Sequence, residues 1–155
     1  MCIVNVTELK VREPKTVYKA LMYNPRKNTY MTPFREVIVP KDIILGERPF
    51  VAEKPCRRPY PACGIDEGYI HAYVDLAETV SEYFEYYTKI ARDGIIPVIF
   101  ECRVDPCDEE QYCWEGEFNS YPFNDCIAAR QMTFVRKLEP EEIYSIWSEK
   151  YSPGK

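Results

Sequence analysis

One stretch dominates the folding problem. Asp75 is an N-cap residue with Glu78 three positions on, the arrangement that lets a cap side chain and a backbone N–H satisfy each other. Leu76, Val80, Tyr83, Phe84, Tyr87, Ile90 and Ala91 then recur at spacings of three and four. Gly94 follows, suited to the left-handed residue past a helix end, so the pattern predicts a helix ending near Asp93. Glu78, Glu82 and Glu85 are expected on its outer face. A helix with one apolar stripe must bury it against something, and what surrounds it reads as strand.

Val17–Met22, Phe34–Val39 and a short segment around Ile43-Ile44-Leu45 precede it as predicted strands, with Asn24-Pro25-Arg26-Lys27-Asn28 supplying a turn. Tyr69–Tyr73 is a short strand directly before the helix. Ile95–Val104 follows it, with Ile96, Val98, Phe100, Cys102 and Val104 on one face, and Pro97 marks an edge or bulge at its start. Tyr112–Phe118 and a long, bulged Cys126–Leu138 complete the strands. Pro140 opens a short last helix whose inner stripe is Ile143, Ile146 and Trp147. The expected architecture is α+β: one domain over residues 1–155, a mainly antiparallel twisted sheet, one long central helix and a short C-terminal helix.

Charge is unevenly distributed along the chain. The formal net charge is −5, yet Lys10–Tyr60 holds 12 basic and 5 acidic residues, and Pro61–Lys155 holds 8 basic and 19 acidic. The total argues against a long nucleic-acid track, whereas the basic segment suits a compact anion. No apolar run approaches the roughly 20 residues that span a bilayer, and the N-terminus lacks a signal-peptide pattern. No membrane partner is expected, and the cytoplasm is the expected location. Seven cysteines without a CxxC pair read as reduced thiols, several of them small hydrophobes at strand positions, and no metal or cofactor is implied.

The stiff segment Pro55-Cys56-Arg57-Arg58-Pro59-Tyr60-Pro61 is the leading site candidate. Arg57 and Arg58 offer bidentate contacts to phosphate, and Tyr60 offers a stacking surface. Arg35 beside Phe34 repeats the pairing. His71, the sole histidine, shares a strand face with Tyr73 and is read as a ligand-orienting or buried group. Arg35, Arg57, Arg58, Tyr60, His71 and Tyr73 are thus the candidate ligand-binding residues, and no catalytic set is legible. Glu115 and Glu117, at alternate strand positions, are the one acidic pair that acid–base chemistry would use. There is no glycine-rich phosphate cradle.

Thr32-Pro33-Phe34-Arg35, Gly68-Tyr69-Ile70-His71-Ala72-Tyr73, Cys102-Arg103-Val104, Gly116, Ala128-Ala129-Arg130-Gln131-Met132 and Val135-Arg136-Lys137-Leu138 together resemble a group of short phage and prophage proteins, over roughly residues 17–138. The strand-then-helix step also looks like the centre of ADP-ribosyltransferase-type folds. There a late strand presents a catalytic Glu, where this chain has Ala129-Arg130-Gln131. The resemblance implies a nucleotide pocket without transfer chemistry. The function expected is non-catalytic sequestration of a small nucleotide-type anion, a phage sponge for a host immune signal of cyclic oligonucleotide or cyclic ADP-ribose type. Two alternatives stay open: an ADP-ribosyltransferase-like or nucleotide-degrading enzyme using Glu115 or Glu117, and a protein–protein inhibitor or accessory protein. Small binders often hold ligands between symmetric subunits, so a homodimer is expected.

Overall fold

The computed structural model describes residues 3–33, 36–52, 70–92, 94–106, 113–118 and 125–151. In chain order these form β1 (Ile3–Glu8), β2 (Lys15–Asn24), β3 (Thr29–Met31), β4 (Ile38–Val39), α1 (Lys41–Ile44), β5 (Phe50–Val51) and β6 (Ile70–Tyr73). There follow α2 (Leu76–Glu82), a π-helical turn (Tyr83–Tyr87), α3 (Thr88–Ile90), β7 (Ile96–Val104), β8 (Cys113–Phe118), β9 (Asp125–Ala129), β10 (Gln131–Lys137) and α4 (Pro140–Tyr151). The class is α+β, and the strands form one open antiparallel sheet in the order β1-β8-β9-β6-β2-β7-β10-β5, with β3 on β2 and β4 on β3.

That order forces curvature. Strands β9 and β10 lie four positions apart, about 19 Å in a flat sheet. Yet only Arg130 separates them, and Ala129 to Gln131 spans at most about 7 Å. The sheet therefore curls, bringing β9 and β10 together at this corner without pairing them. Residues from both strands, Ile127 and Ala129 with Met132 and Phe134, share one buried cluster with Val17, Leu21, Ile70, Ala72, Phe100, Cys102 and Val104. This cluster is the concave face. Phe134 is fully buried here, and an aromatic or branched side chain in such a place contributes about 1.5–3 kcal/mol. The long Cys126–Leu138 strand expected from sequence is thus two strands that serve opposite parts of the sheet. A bulge within β10, between Phe134 and Arg136, accompanies the bend.

The convex face carries the helices. Val80, Ile99, Leu138 and Ile143 are buried there, with Tyr18, Leu76, Tyr83, Phe84, Ile146 and Trp147 packed around them. The rings of Phe84 and Trp147 lie 4.5 Å apart and join the two helical layers. Arg136 clamps α4 to the sheet through a bidentate pair with Glu142, at 2.9 and 2.8 Å.

The expected cap is in place: Asp75 accepts from the Glu78 N–H at 2.9 Å. The expected single long helix is not. After seven residues the α-helix widens into a π turn over five consecutive residues, Tyr-Phe-Glu-Tyr-Tyr, and α3 ends at Ile90, where Ala91 is already extended. Glu82, expected outside, lies in α2 just ahead of that turn and is 7% exposed. Among the described residues the longest α-helix is instead the C-terminal one, 12 residues from Pro140.

Two further differences have local causes. The Ile43-Ile44-Leu45 segment is helical, not extended. Pro40 stands at its N-cap position, the Asp42 carboxylate accepts from the Ile43 N–H and pairs with Arg48, and Gly46 ends the turn at φ +75°. Among the described residues of the expected Phe34–Val39 strand only Ile38 and Val39 pair, and Glu36 sits at φ 54° just before them. The β2–β3 turn is as expected, with Asn24 Oδ1 accepting from the N–H groups of Arg26 and Lys27. Pro97 lies beyond Phe100, the last β7 residue in register with β10, so it removes no ladder bond to that strand.

Candidate functional site

Strand β2 is paired with β7 along nine positions, Lys15 to Tyr23. Its other edge is shared: β6 meets it at Tyr18 and β3 from Met22 onward. Between these, Lys19 lies on the concave side with Val17 and Leu21, only 9% exposed. Its Nζ donates to the main-chain carbonyl of His71 at 2.8 Å, spanning the place where β2 and β6 part. Desolvation of the ammonium lowers its pKa from 10.5 to about 8. The nearby Cys102 thiol is pushed above its usual range, chiefly by burial, and the ammonium offsets part of that rise. At neutral pH Lys19 is therefore a cation inside the curl of the sheet, where a charge is screened far less than at the surface.

A pocket of about 300 Å³ opens on the same face, at the end of the sheet where β2 begins. Thr7 of β1, Glu115 of β8, Asp125 of β9 and Lys15 of β2 bring their polar groups to it, and Leu9, Val74 and Ile127 supply aliphatic lining. The register explains the convergence. Glu115 stands opposite both Thr7 and Ile127, and Asp125 is two residues along β9 from Ile127, hence on the same face. The Thr7 hydroxyl donates to Glu115 Oε1 at 3.3 Å. The connection from Leu9 that leads into Lys15 of β2 also carries Lys10 and Arg12, both exposed. The pocket lining thus sets the Glu115 and Asp125 carboxylates of β8 and β9 against the Lys15 ammonium of β2.

Of the residues singled out from sequence, His71 and Tyr73 fall on β6 but on the convex side, opposite the pocket, because Ile70 and Ala72 take the concave positions. His71 is half-buried beside Ala128 of β9. Tyr73 is 2% exposed, and its hydroxyl lies 2.9 Å from that of Tyr87. Burial raises both phenol pKa values, and the Glu82 carboxylate raises them further, so both hydroxyls stay protonated at physiological pH. They form a structural pair under the π turn. Arg35, Arg57, Arg58 and Tyr60 lie outside the described residues, as does the Glu117 side chain. Glu115 is exposed at the pocket.

Sequence reading missed Thr7, Lys15, Lys19 and Asp125. Lys19 left a signal: a charged residue at the inward position of an apolar strand. The other three left none, because strand β1 and the sheet order were needed to bring them together. Among the described residues no group of three or more His, Cys, Asp or Glu is placed to hold a metal ion. Cys102, Cys113 and Cys126 are buried thiols on β7, β8 and β9. Among the described residues no helix is long and apolar enough to cross a membrane. No protein-family model matches the chain, and neither a curated protein nor a solved structure matches it significantly.

Proposed function

We propose that the protein binds a small nucleotide-type anion and holds it without transforming it. The observation that carries this reading is the two-sided pocket, with Glu115, Asp125 and Thr7 on one wall and Lys15 on the other. Carboxylates only accept hydrogen bonds at neutral pH, so that wall suits ligand hydroxyls and N–H groups. Lys15, with the exposed Lys10 and Arg12 on the connection that precedes it, suits a phosphate. A nucleotide is a molecule with donors at one end and an anion at the other. The acidic wall repels phosphate and so fixes which way it lies. A volume of about 300 Å³ is at the small end of ligand sites and matches a sugar phosphate or mononucleotide portion. The buried ammonium of Lys19 adds positive potential to the same face.

In this role the protein is a sponge for a signalling nucleotide of cyclic oligonucleotide or cyclic ADP-ribose type, as a phage would use against a host. Arg35, Arg57, Arg58 and Tyr60, in the basic part of the chain, are the additional phosphate and base contacts of this proposal. The test is a thermal-shift panel of such nucleotides, followed by mass spectrometry of the ligand released on denaturation. A ligand at 100 times its Kd stabilises the fold by about 2.7 kcal/mol, and it is recovered intact. No shift across the panel refutes binding. One observation favours a second reading. Glu115 and Asp125 share a pocket, as a general acid and base must, and a nucleotide-degrading enzyme would return the ligand cleaved.

A further inference from the structure

We infer that the pocket grips the ribose–phosphate part of its ligand, with Glu115 and Asp125 accepting from the 2′- and 3′-hydroxyls of an unesterified ribose and Lys15 facing the phosphate; this rests on the nucleotide-binding reading above.

The register supplies the spacing. Diagonal positions on adjacent antiparallel strands lie about 7–8 Å apart at Cα, and Glu115 and Asp125 are such a pair. Their carboxylates can meet one small polyol from two sides. Thr7 holds Glu115 through Oε1, which leaves Oε2 to accept from a ligand. The lining also bears on which part of a nucleotide enters. Leu9, Val74 and Ile127 are aliphatic, and no aromatic ring lines the pocket among the described residues. Among the described residues a base would find no stacking surface here, whereas the C–H faces of a sugar need none. Two acceptor-only groups side by side ask for two O–H donors, and a ribose cis-diol carries two on adjacent carbons.

The consequence is a choice among nucleotides. In a 3′,5′-cyclic oligonucleotide the 3′ oxygen is esterified and has no hydrogen to donate. In ADP-ribose and its cyclic form the ribose 2′- and 3′-hydroxyls are both free. The pocket therefore selects the ADP-ribose class over 3′,5′-linked cyclic oligonucleotides, and ribose over 2-deoxyribose.

Calorimetric titration tests this with four probes: ADP-ribose, ribose 5-phosphate, 2-deoxyribose 5-phosphate and a 3′,5′-cyclic dinucleotide. ADP-ribose and ribose 5-phosphate are expected to bind, and the deoxy sugar and the cyclic dinucleotide at least about tenfold more weakly, the loss of one hydrogen bond to a charged acceptor. Glu115→Ala and Asp125→Ala, both at exposed strand positions, are expected to weaken ribose 5-phosphate by about tenfold or more and to leave 2-deoxyribose 5-phosphate less affected. Equal affinity for the two sugar phosphates overturns the diol assignment and leaves nucleotide binding standing. Tighter binding of the cyclic dinucleotide than of ADP-ribose overturns it as well. Binding by none of the four overturns both this inference and the reading beneath it.

Discussion

Lys19→Met isolates the buried charge. In the folded protein the Lys19 ammonium has left water, and its pKa falls from 10.5 to about 8. At 1.36 kcal/mol per pH unit, holding the proton at neutral pH costs the fold about 3 kcal/mol relative to an unfolded chain. Methionine removes that cost with little change of shape. It also removes the donor to the His71 carbonyl, which costs about 1–3 kcal/mol in return. The two nearly offset at pH 7, so a single stability value says little, and the pH dependence carries the information. Between pH 8 and 10.5 the unfolded chain keeps its Lys19 proton while the folded protein releases it. The unfolded state then binds more protons, and stability rises with pH. Integrated from pH 8 to pH 9 the gain is about 1 kcal/mol. Cys102 acts in the opposite direction. Its folded pKa is raised, so the unfolded thiol ionises first and stability falls above its ordinary pKa of 9.0. That contribution is present in both proteins and largely drops out of their difference. Urea unfolding of wild type and Lys19→Met at pH 7, 8 and 9, in reductant, measures that difference. Wild type is expected to gain about 1 kcal/mol on the variant between pH 8 and 9. A difference that does not change with pH would refute the assignment of a buried, charged Lys19.

Three other substitutions test the frame around the site. Asp75→Ala removes the cap on the Glu78 N–H and should cost about 1 kcal/mol, read as a lower melting temperature; an unchanged one contradicts the cap. Tyr87→Phe deletes one hydroxyl of the buried pair and should cost about 1–3 kcal/mol in urea unfolding. In wild type, ultraviolet titration should find two phenols still protonated well above pH 10, since burial raises both, and their ionisation with the exposed tyrosines would contradict the pair. Gly46→Ala should destabilise by more than about 1 kcal/mol, because φ is +75° and the added Cβ would lie 2.6 Å from the Phe134 carbonyl oxygen. Wild-type stability in that variant would show the turn is not as described.

The parts of this fold that the sequence announces are those governed by local rules. Asp75 and Glu78 mark a cap because a side chain and a backbone N–H three residues apart settle the matter between themselves. The alternation in β7 is visible because Phe100, Cys102 and Val104 all point into one core. Local rules fail where tertiary contacts decide. The five bulky residues of the π turn keep a helical stripe on paper, yet they widen the helix, and Glu82, just ahead of them in α2, is buried beside Tyr73 and Tyr87. Ile43 and Ile44 have strand propensity, and Pro40, Asp42 and Gly46 override it at the two ends of a four-residue helix. Arg130 divides what reads as one strand, because its halves pair with different neighbours. The pocket is the extreme case. Thr7, Lys15, Glu115 and Asp125 span more than a hundred positions of chain, and only the order β1-β8-β9-β6-β2 with its curl brings them to one place.

Amide chemical-shift mapping is the most direct measure of whether that place binds a nucleotide. Titration of the isotopically labelled protein with ADP-ribose should shift the amides of Thr7, Lys15, Gly116 and Asp125 along a saturating curve, with Asp125→Ala weakening the curve. Shifts confined to the convex face around Tyr73 and Tyr87, or none at millimolar ADP-ribose, would contradict the assignment of the pocket as the ligand site.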